Sequence, residues 1–230
     1  LIAVAIPKVI YQTFKTNKIP LLTRFYIWRF LRKNKGYRHA FYDDEQVDAF
    51  VKQAFDTRTY RAYARLQIGA AKADFFRYAI LYKQGGIYLD LDSDLVGRLD
   101  DVLLPTDVAV VAHEGNFQQF FSQWALIYDK GHPFMEETIK LIVENIEQNR
   151  YPHDVHAMTG PTVYAQAINN VLQRQPDVAY RVFEDDYRGL MKFKYKLGKI
   201  LIYGDRSKHW KKLQQVIPVV RPEDQVDNKD

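Results

Sequence analysis

The chain's apolar positions recur at two periods, and the switch between them marks its centre. Leu66, Ala70, Ala73, Phe76, Ala79, Ile80 and Tyr82 fall at the spacing of one helix. Gly85 and Gly86 close that pattern, because glycine takes the left-handed backbone of a helix end at little cost. Ile87, Tyr88 and Leu89 follow as a short apolar run, predicted as a buried strand that leads into Asp90, Asp92 and Asp94. Upstream, alternation around Val9, Ile10 and Tyr11 predicts a first strand within residues 1 to 14, with Pro7 suited to its start. Residues 20 to 34 predict a helix from Leu21 to Lys33, whose Phe25, Trp28, Leu31 and Arg32 are expected to supply core and a basic face. Gly36 to Tyr42 predicts a second strand. Glu45 to Phe55 predicts a helix, for which Asp43 or Asp44 serves as cap rather than metal ligand.

Downstream, Val108 to Ala112 is a dense β-branched strand ending at His113 and Asn116, where strand ends meet ligands in α/β folds. Pro133 starts a helix running to about Gln148, and Pro161, after Gly160, starts another to about Gln173. Strands alternating with helices predict an α/β layered fold. The 230 residues suffice for one domain, expected over 1–217, with a polar, disordered tail over 218–230. There is no internal repeat and no long linker.

Composition narrows the classes. Hydrophobic content of 47% and charged content of 27% are those of a globular protein. With no cysteine, disulfides and thiol chemistry are excluded. No apolar run reaches the length of a membrane span, and the opening residues lack the basic start of a signal peptide. The expectation is a cytoplasmic enzyme, peripheral at a membrane; a Golgi-lumen domain trimmed from its anchor is the alternative. The net charge of +5 is spread and mixed in sign, which argues against nucleic acid and suits an anionic nucleotide or lipid surface. Residues 188–212 are strongly basic, with Phe193, Tyr195, Tyr203 and Trp210 interleaved, a composition suited to peripheral membrane contact or an anionic acceptor.

The candidate chemistry lies at the aspartates. In an extended chain Asp90 and Asp92 point to one face, and Asp94 joins them if the strand continues. Adjacent carboxylates repel, and a hard divalent cation gives a reason to place them together, since Mg²⁺ and Mn²⁺ take oxygen ligands and add phosphate oxygens. An exposed acidic turn is the other reading. Asp74 and Arg77, three apart, share a face of the preceding helix: a surface ion pair, or a polar pair reaching the same site.

The run Ala71-x-x-Asp74-x-x-Arg77, then Leu81-Tyr82-x-x-Gly85-Gly86-Ile87-Tyr88-Leu89-Asp90-x-Asp92, closely resembles the sugar-nucleotide-binding signature of the DXD glycosyltransferases of family 32. That family includes the initiating α-1,6-mannosyltransferases of fungi, and the glucosylating clostridial toxins carry a similar run. Ile6 to Thr16, Asn34 to Asp44, Leu99 to Leu103, Gly131-His132-Pro133, Thr159-Gly160-Pro161 and His209-Trp210 resemble further family landmarks. Tyr11 and Phe14 stand where the family commonly has His and Trp, and the C-terminal Ser-Trp pair is missing.

The resemblance implies a GT-A fold with a mixed, mostly parallel sheet, and retaining transfer of a hexose from a nucleotide sugar. It implies Mn²⁺ or Mg²⁺ on Asp92, with Asp90 and His209 as further contacts. Asp74, Arg77, Asp90, Tyr11, Gln12 and Gly86 become donor-site candidates, although Tyr11 and Gln12 also read as a buried edge strand. His113, Asn116 and Gly160 are pocket candidates. No nucleophile is assigned. A UDP-sugar is the first expectation for the donor and GDP-mannose the second, with a glycan or lipid-linked saccharide as acceptor. Two rivals weaken on inspection. An aspartate phosphatase motif expects Thr or Val where Asp94 stands, and an EF-hand counted from Asp90 needs Gly and Glu where Leu95 and Asp101 stand. A non-catalytic binding module of the same fold is the remaining alternative.

Overall fold

Alternate residues of the central strands serve two cores, which is why those strands read as continuous apolar runs. Ile10, Ile87 and Ile127 enter one cluster, and their neighbours Tyr11, Tyr88 and Tyr128 enter the other. The computed structural model describes residues 6–114, 117–184, 187–195 and 210–222. The seven-stranded sheet runs β2(Arg38–Tyr42), β1(Val9–Thr13), β3(Gly86–Leu89), β7(Ala125–Tyr128), β5(Ala109–Glu114), β6(Phe117–Phe121), with β8(Arg181–Phe183) also on β5. The β1–β2, β1–β3 and β5–β8 pairs are parallel, while β7 and β6 run against their partners. Five of the seven strands therefore point the same way, as expected of a mixed, mostly parallel sheet.

The larger core lies between the sheet and α2(Asp44–Ala54), α3(Thr57–Ala64), α4(Gly69–Gln84), α5(Pro133–Glu147), α6(Val155–Met158) and α7(Pro161–Arg174). α1(Leu21–Lys33) covers the other face through Ile27 and Phe30. α4 is buried around most of its girth, polar Asp74 and Arg77 included. β4(Asp94–Leu95) and β9(Met191–Lys192) form a short antiparallel ribbon tied to α1 by the Asp94–Arg29 ion pair. α8(Trp210–Val216) leads to the C-terminal segment.

Local chemistry sets these boundaries. Asp43 caps α2 in a reciprocal box with Gln46, as expected from the sequence. Gly86 sits at φ +114°, and a Cβ there would meet the Val9 carbonyl oxygen at 2.9 Å, so only glycine lets β3 enter beside β1.

Three expectations need correction. Phe25 and Trp28 are 51% exposed each rather than core, because α1 already buries Thr23, Ile27 and Phe30. The strand after Leu89 does not continue: Ser93 donates its backbone N–H to the Asp90 carbonyl at 3.0 Å, closing a turn. The tail does not begin at residue 218: Val219 and Val220 are buried, and Val219 accepts from the Gln67 backbone at 2.9 Å while donating to Pro152 at 2.7 Å. Among the described residues, no helix is long and apolar enough to cross a membrane.

Candidate functional site

The site forms where β3 ends. Asp90 leaves the sheet by donating its N–H to the Trp124 carbonyl, and Gln12 on β1 donates to the Asp90 carbonyl at 3.3 Å. The interruption between β6 and β7, at Ser122–Trp124, lies beside this strand end. Behind it stands Arg77 of α4. Its guanidinium donates to the Gln123 carbonyl at 2.7 Å, pairs with Asp74 at 3.1 Å and Asp90 at 3.2 Å, and lies 4.7 Å above the Tyr88 ring. Asp74 also accepts from the Thr159 hydroxyl at 3.1 Å and the Gln123 amide at 3.3 Å. The Tyr88 hydroxyl donates to Asp90 at 3.1 Å. A buried ion pair with most of its polar atoms answered in this way holds its geometry, and deleting one partner costs about 3–5 kcal/mol.

The turn carries Asp92 inward. Asp92 is 2% exposed; its carbonyl accepts from the Tyr195 N–H at 2.9 Å, and the Lys194 ammonium stands 3.7 Å from its Oδ2. That Oδ2 is buried with no hydrogen-bond partner among the described residues. Burial, with Asp90 adding to it, pushes the Asp92 carboxyl up to about 6. Burial raises Asp90 as well, against the pull of Arg77. Asp74 is pushed up to about 7, again by burial, with Arg77 opposing. Asp94 turns away to an ion pair with Arg29 of α1.

Three sequence candidates, Asp74, Arg77 and Asp90, thus converge, and Asp92 lies beside them with Lys194. Gln12 supports Asp90 from β1, its own amide oxygen 3.0 Å from the His39 ring. Tyr11 does not join them: it faces the core and donates to Gln84 at the other end of α4, at 2.9 Å. Gly86 lies at the opposite end of β3 from Asp90 and serves the backbone. At Gly160 a Cβ would meet the His156 Cα at 2.8 Å; this glycine lets α6 and α7 pack, and its neighbour Thr159 makes the polar contact. His113 stacks on Phe121 at 5.1 Å, and no hydrogen bond or ion pair among the described residues joins it to the carboxylates. Asn116 and His209 lie outside the described residues. Sequence reading passed over Gln123, Thr159, Tyr88 and Lys194 as site residues. Thr159 carried a signal in the Thr-Gly-Pro run and Tyr88 in the Gly-Gly-Ile-Tyr-Leu-Asp run; Lys194 was visible only as one cation of the basic stretch.

The donor set suits a hard divalent cation. It consists of carboxylate oxygens, one of them without a hydrogen bond among the described residues, with the Lys194 ammonium already drawn to it. Among the described residues no group of three His, Asp or Glu side chains is placed to hold a metal ion, so the protein offers few ligands. Mg²⁺ and Mn²⁺ complete such sites with phosphate oxygens and water.

Residues 21–109 match the model of the glycosyltransferase sugar-binding region containing the DXD motif. The chain carries the sugar-binding region of the DXD glycosyltransferases. It is 27% identical over 227 residues to the initiation-specific alpha-1,6-mannosyltransferase of Schizosaccharomyces pombe, covering 86% of this chain and 55% of that protein. It is 31% identical over 180 residues to inositol phosphoceramide mannosyltransferase 3 of the same yeast, covering 75% and 47%. The chain spans about half the length of these relatives. Among solved structures, the PaToxG glycosyltransferase superposes with a TM-score of 0.59 at 18% identity, over 98% of this chain and 85% of that one. The fold is the GT-A type that the sequence implied.

Proposed function

We propose that this chain transfers a mannosyl group from a nucleotide sugar to a hydroxyl of a glycan or glycolipid acceptor, at the Asp90–Asp92 turn. The observation that carries the reading is the buried Asp92 oxygen that has no hydrogen-bond partner among the described residues and only the distant Lys194 ammonium beside it, with Asp90 held by Arg77 and Tyr88 at a strand end. The names of the two yeast relatives, both mannosyltransferases, favour GDP-mannose over the UDP-sugar first expected. A UDP-hexose is the second donor to test.

Asp92 and Asp90 would hold Mn²⁺ or Mg²⁺, which when bound offsets the charge growing on the leaving diphosphate. Lys194, 38% exposed at its side chain, is placed to follow a phosphate oxygen when the donor enters. Asp74 and Arg77 form the floor of the site, meeting sugar hydroxyls and fixing Asp90. The acceptor oxygen attacks the anomeric carbon as the bond to the diphosphate oxygen breaks, and the acceptor proton passes to that diphosphate. Attack from the leaving-group side retains configuration without a covalent nucleophile, and none is assigned.

The test is a panel of GDP- and UDP-sugars with and without Mn²⁺, read as released nucleoside diphosphate, with Asp92→Ala alongside. Mn²⁺-dependent release from GDP-mannose, lost in the variant, is the expected outcome. Release from UDP-hexoses alone would overturn the donor assignment. No turnover and no metal-dependent binding of any donor would favour the non-catalytic module.

A further inference from the structure

The chain's positive excess is concentrated at one end. Its first 42 residues hold nine of the 33 Lys and Arg and none of the 28 Asp and Glu, so the remaining residues are net acidic. Much of that charge surrounds α1, and α1 has an unusual outer face. Its inner face is satisfied by Thr23, Ile27 and Phe30. On the opposite stripe Leu21, Phe25 and Trp28 follow at i, i+4 and i+7, exposed by 79%, 51% and 51%. Phe25 and Trp28 lie 5.8 Å apart, and the Arg32 guanidinium covers the Trp28 ring at 4.8 Å. Arg24 and Lys33 are exposed on the same helix, and Lys15 and Lys18 just before it.

Some of these cations are already used. Arg29 pairs with Asp94, Lys8 with Asp100, and Lys33 donates to the Val96 carbonyl. Among the described residues Lys15, Lys18, Arg24 and Arg32 form no salt bridge, and Lys15 acts on Asp44 only at a distance. A helix that has already found its core gains nothing from showing water a leucine, a phenylalanine and a tryptophan in line. Large apolar rings interleaved with arginines, and no acid among them, match the boundary of an anionic bilayer. There rings enter the acyl edge while guanidinium groups stay with lipid phosphates.

We infer that α1 is an interfacial helix that seats this chain on an anionic lipid surface through Leu21, Phe25 and Trp28, with Arg24 and Arg32 on the headgroups. The surface reaches the carboxylate turn by one loop. Tyr195 stacks on Tyr26 at 4.1 Å and shares a 2.6 Å hydrogen bond with Thr23, while the Ser93 hydroxyl donates to the Phe193 carbonyl at 2.7 Å. Phe193 on that loop is half exposed and packs on Trp124 at 5.6 Å. The membrane element expected at 188–212 is thereby moved to α1. Of that stretch 196–209 lie outside the described residues, and Lys194 faces Asp92. The inference does not depend on the donor or on turnover.

The test is co-sedimentation with vesicles of phosphatidylcholine alone and with added phosphatidylserine, at low and high salt. The native chain is compared with Phe25→Ser/Trp28→Ser and Arg24→Gln/Arg32→Gln, each checked for fold by circular dichroism. Binding to the anionic vesicles is expected to be about tenfold tighter than to neutral ones, to weaken with salt, and to fall about tenfold in either variant. In the native chain, nitroxide-labelled lipid is expected to quench tryptophan fluorescence, and Trp28→Phe to remove that quenching. No vesicle binding, or binding unchanged in both variants, would overturn the inference. So would a concentration-dependent dimer abolished by the aromatic variant, since a second copy would then own the stripe.

Discussion

Gln123 answers three groups at once: its carbonyl takes Arg77, its amide oxygen takes the Tyr78 hydroxyl, and its amide nitrogen serves Asp74. Gln123→Leu keeps the carbonyl, takes the acceptor from the Tyr78 hydroxyl and removes one of Asp74's donors. The expected cost is about 1–3 kcal/mol in urea denaturation. Donor turnover is expected to drop on the order of tenfold, because Asp74 and Arg77 lose their fixed geometry. Asp74 makes a second prediction. Burial raises its folded-state value to about 7, above that of the unfolded chain, so the folded state binds more protons between those values. Its contribution therefore turns unfavourable as pH rises from about 4 through 7, reaching roughly 4 kcal/mol when fully ionised. Asp74→Asn is expected to be increasingly stabilised relative to the native chain across that range. A difference that does not change with pH would contradict the assignment. Asp90 and Asp92 could be read from the sequence because carboxylates at period two after an apolar run have a physical reason, and Asp74 and Arg77 because a three-residue spacing puts them on one helix face and both fall in the run that resembles the DXD signature. Gln123 could not, since an uncharged residue at a strand interruption shows nothing until the strands are paired.

Among the elements, the helix–glycine–strand unit was legible because its apolar period changes sharply at Gly85 and Gly86. Its terminal turn was not: alternation put Asp94 beside Asp90 only if the strand continued, and a hydrogen bond from Ser93 back to the Asp90 carbonyl ends it, leaving Asp94 to pair with Arg29. β6, β7 and β8 were also missed. β7 is buried on both faces and β8 is a three-residue edge strand, so neither shows the clean alternation that marks a strand. Gly86 sits where β3 passes closest to β1. Gly86→Ala places a Cβ against a backbone carbonyl at positive φ, and is expected to lower stability by about 2 kcal/mol or more in urea titrations. Full stability in that variant would mean that β1 and β3 can separate at no cost.

For the molecule as a whole, the fold class and the end of the sheet that carries the site followed from the order of elements. The C-terminal closure did not, because residues 218–221 are short and lie next to a polar run. Val219 and Val220 pack against the large core, and Leu66 pairs with Val220. Ending the chain at Ile217 is expected to cost about 3–5 kcal/mol, from two buried valines and their backbone bonds, seen as a lower melting temperature. An unchanged melting temperature would show the segment to be dispensable. The central claim is that the Asp90–Asp92 turn holds a nucleotide diphosphate through a divalent ion. Calorimetric titration of GDP-mannose into the native chain and Asp92→Asn, each with Mn²⁺ and with chelator, tests it most directly. Binding that needs Mn²⁺ in the native chain and is lost in Asp92→Asn is the expected result. Equal binding with chelator, or unimpaired binding in Asp92→Asn, would contradict it.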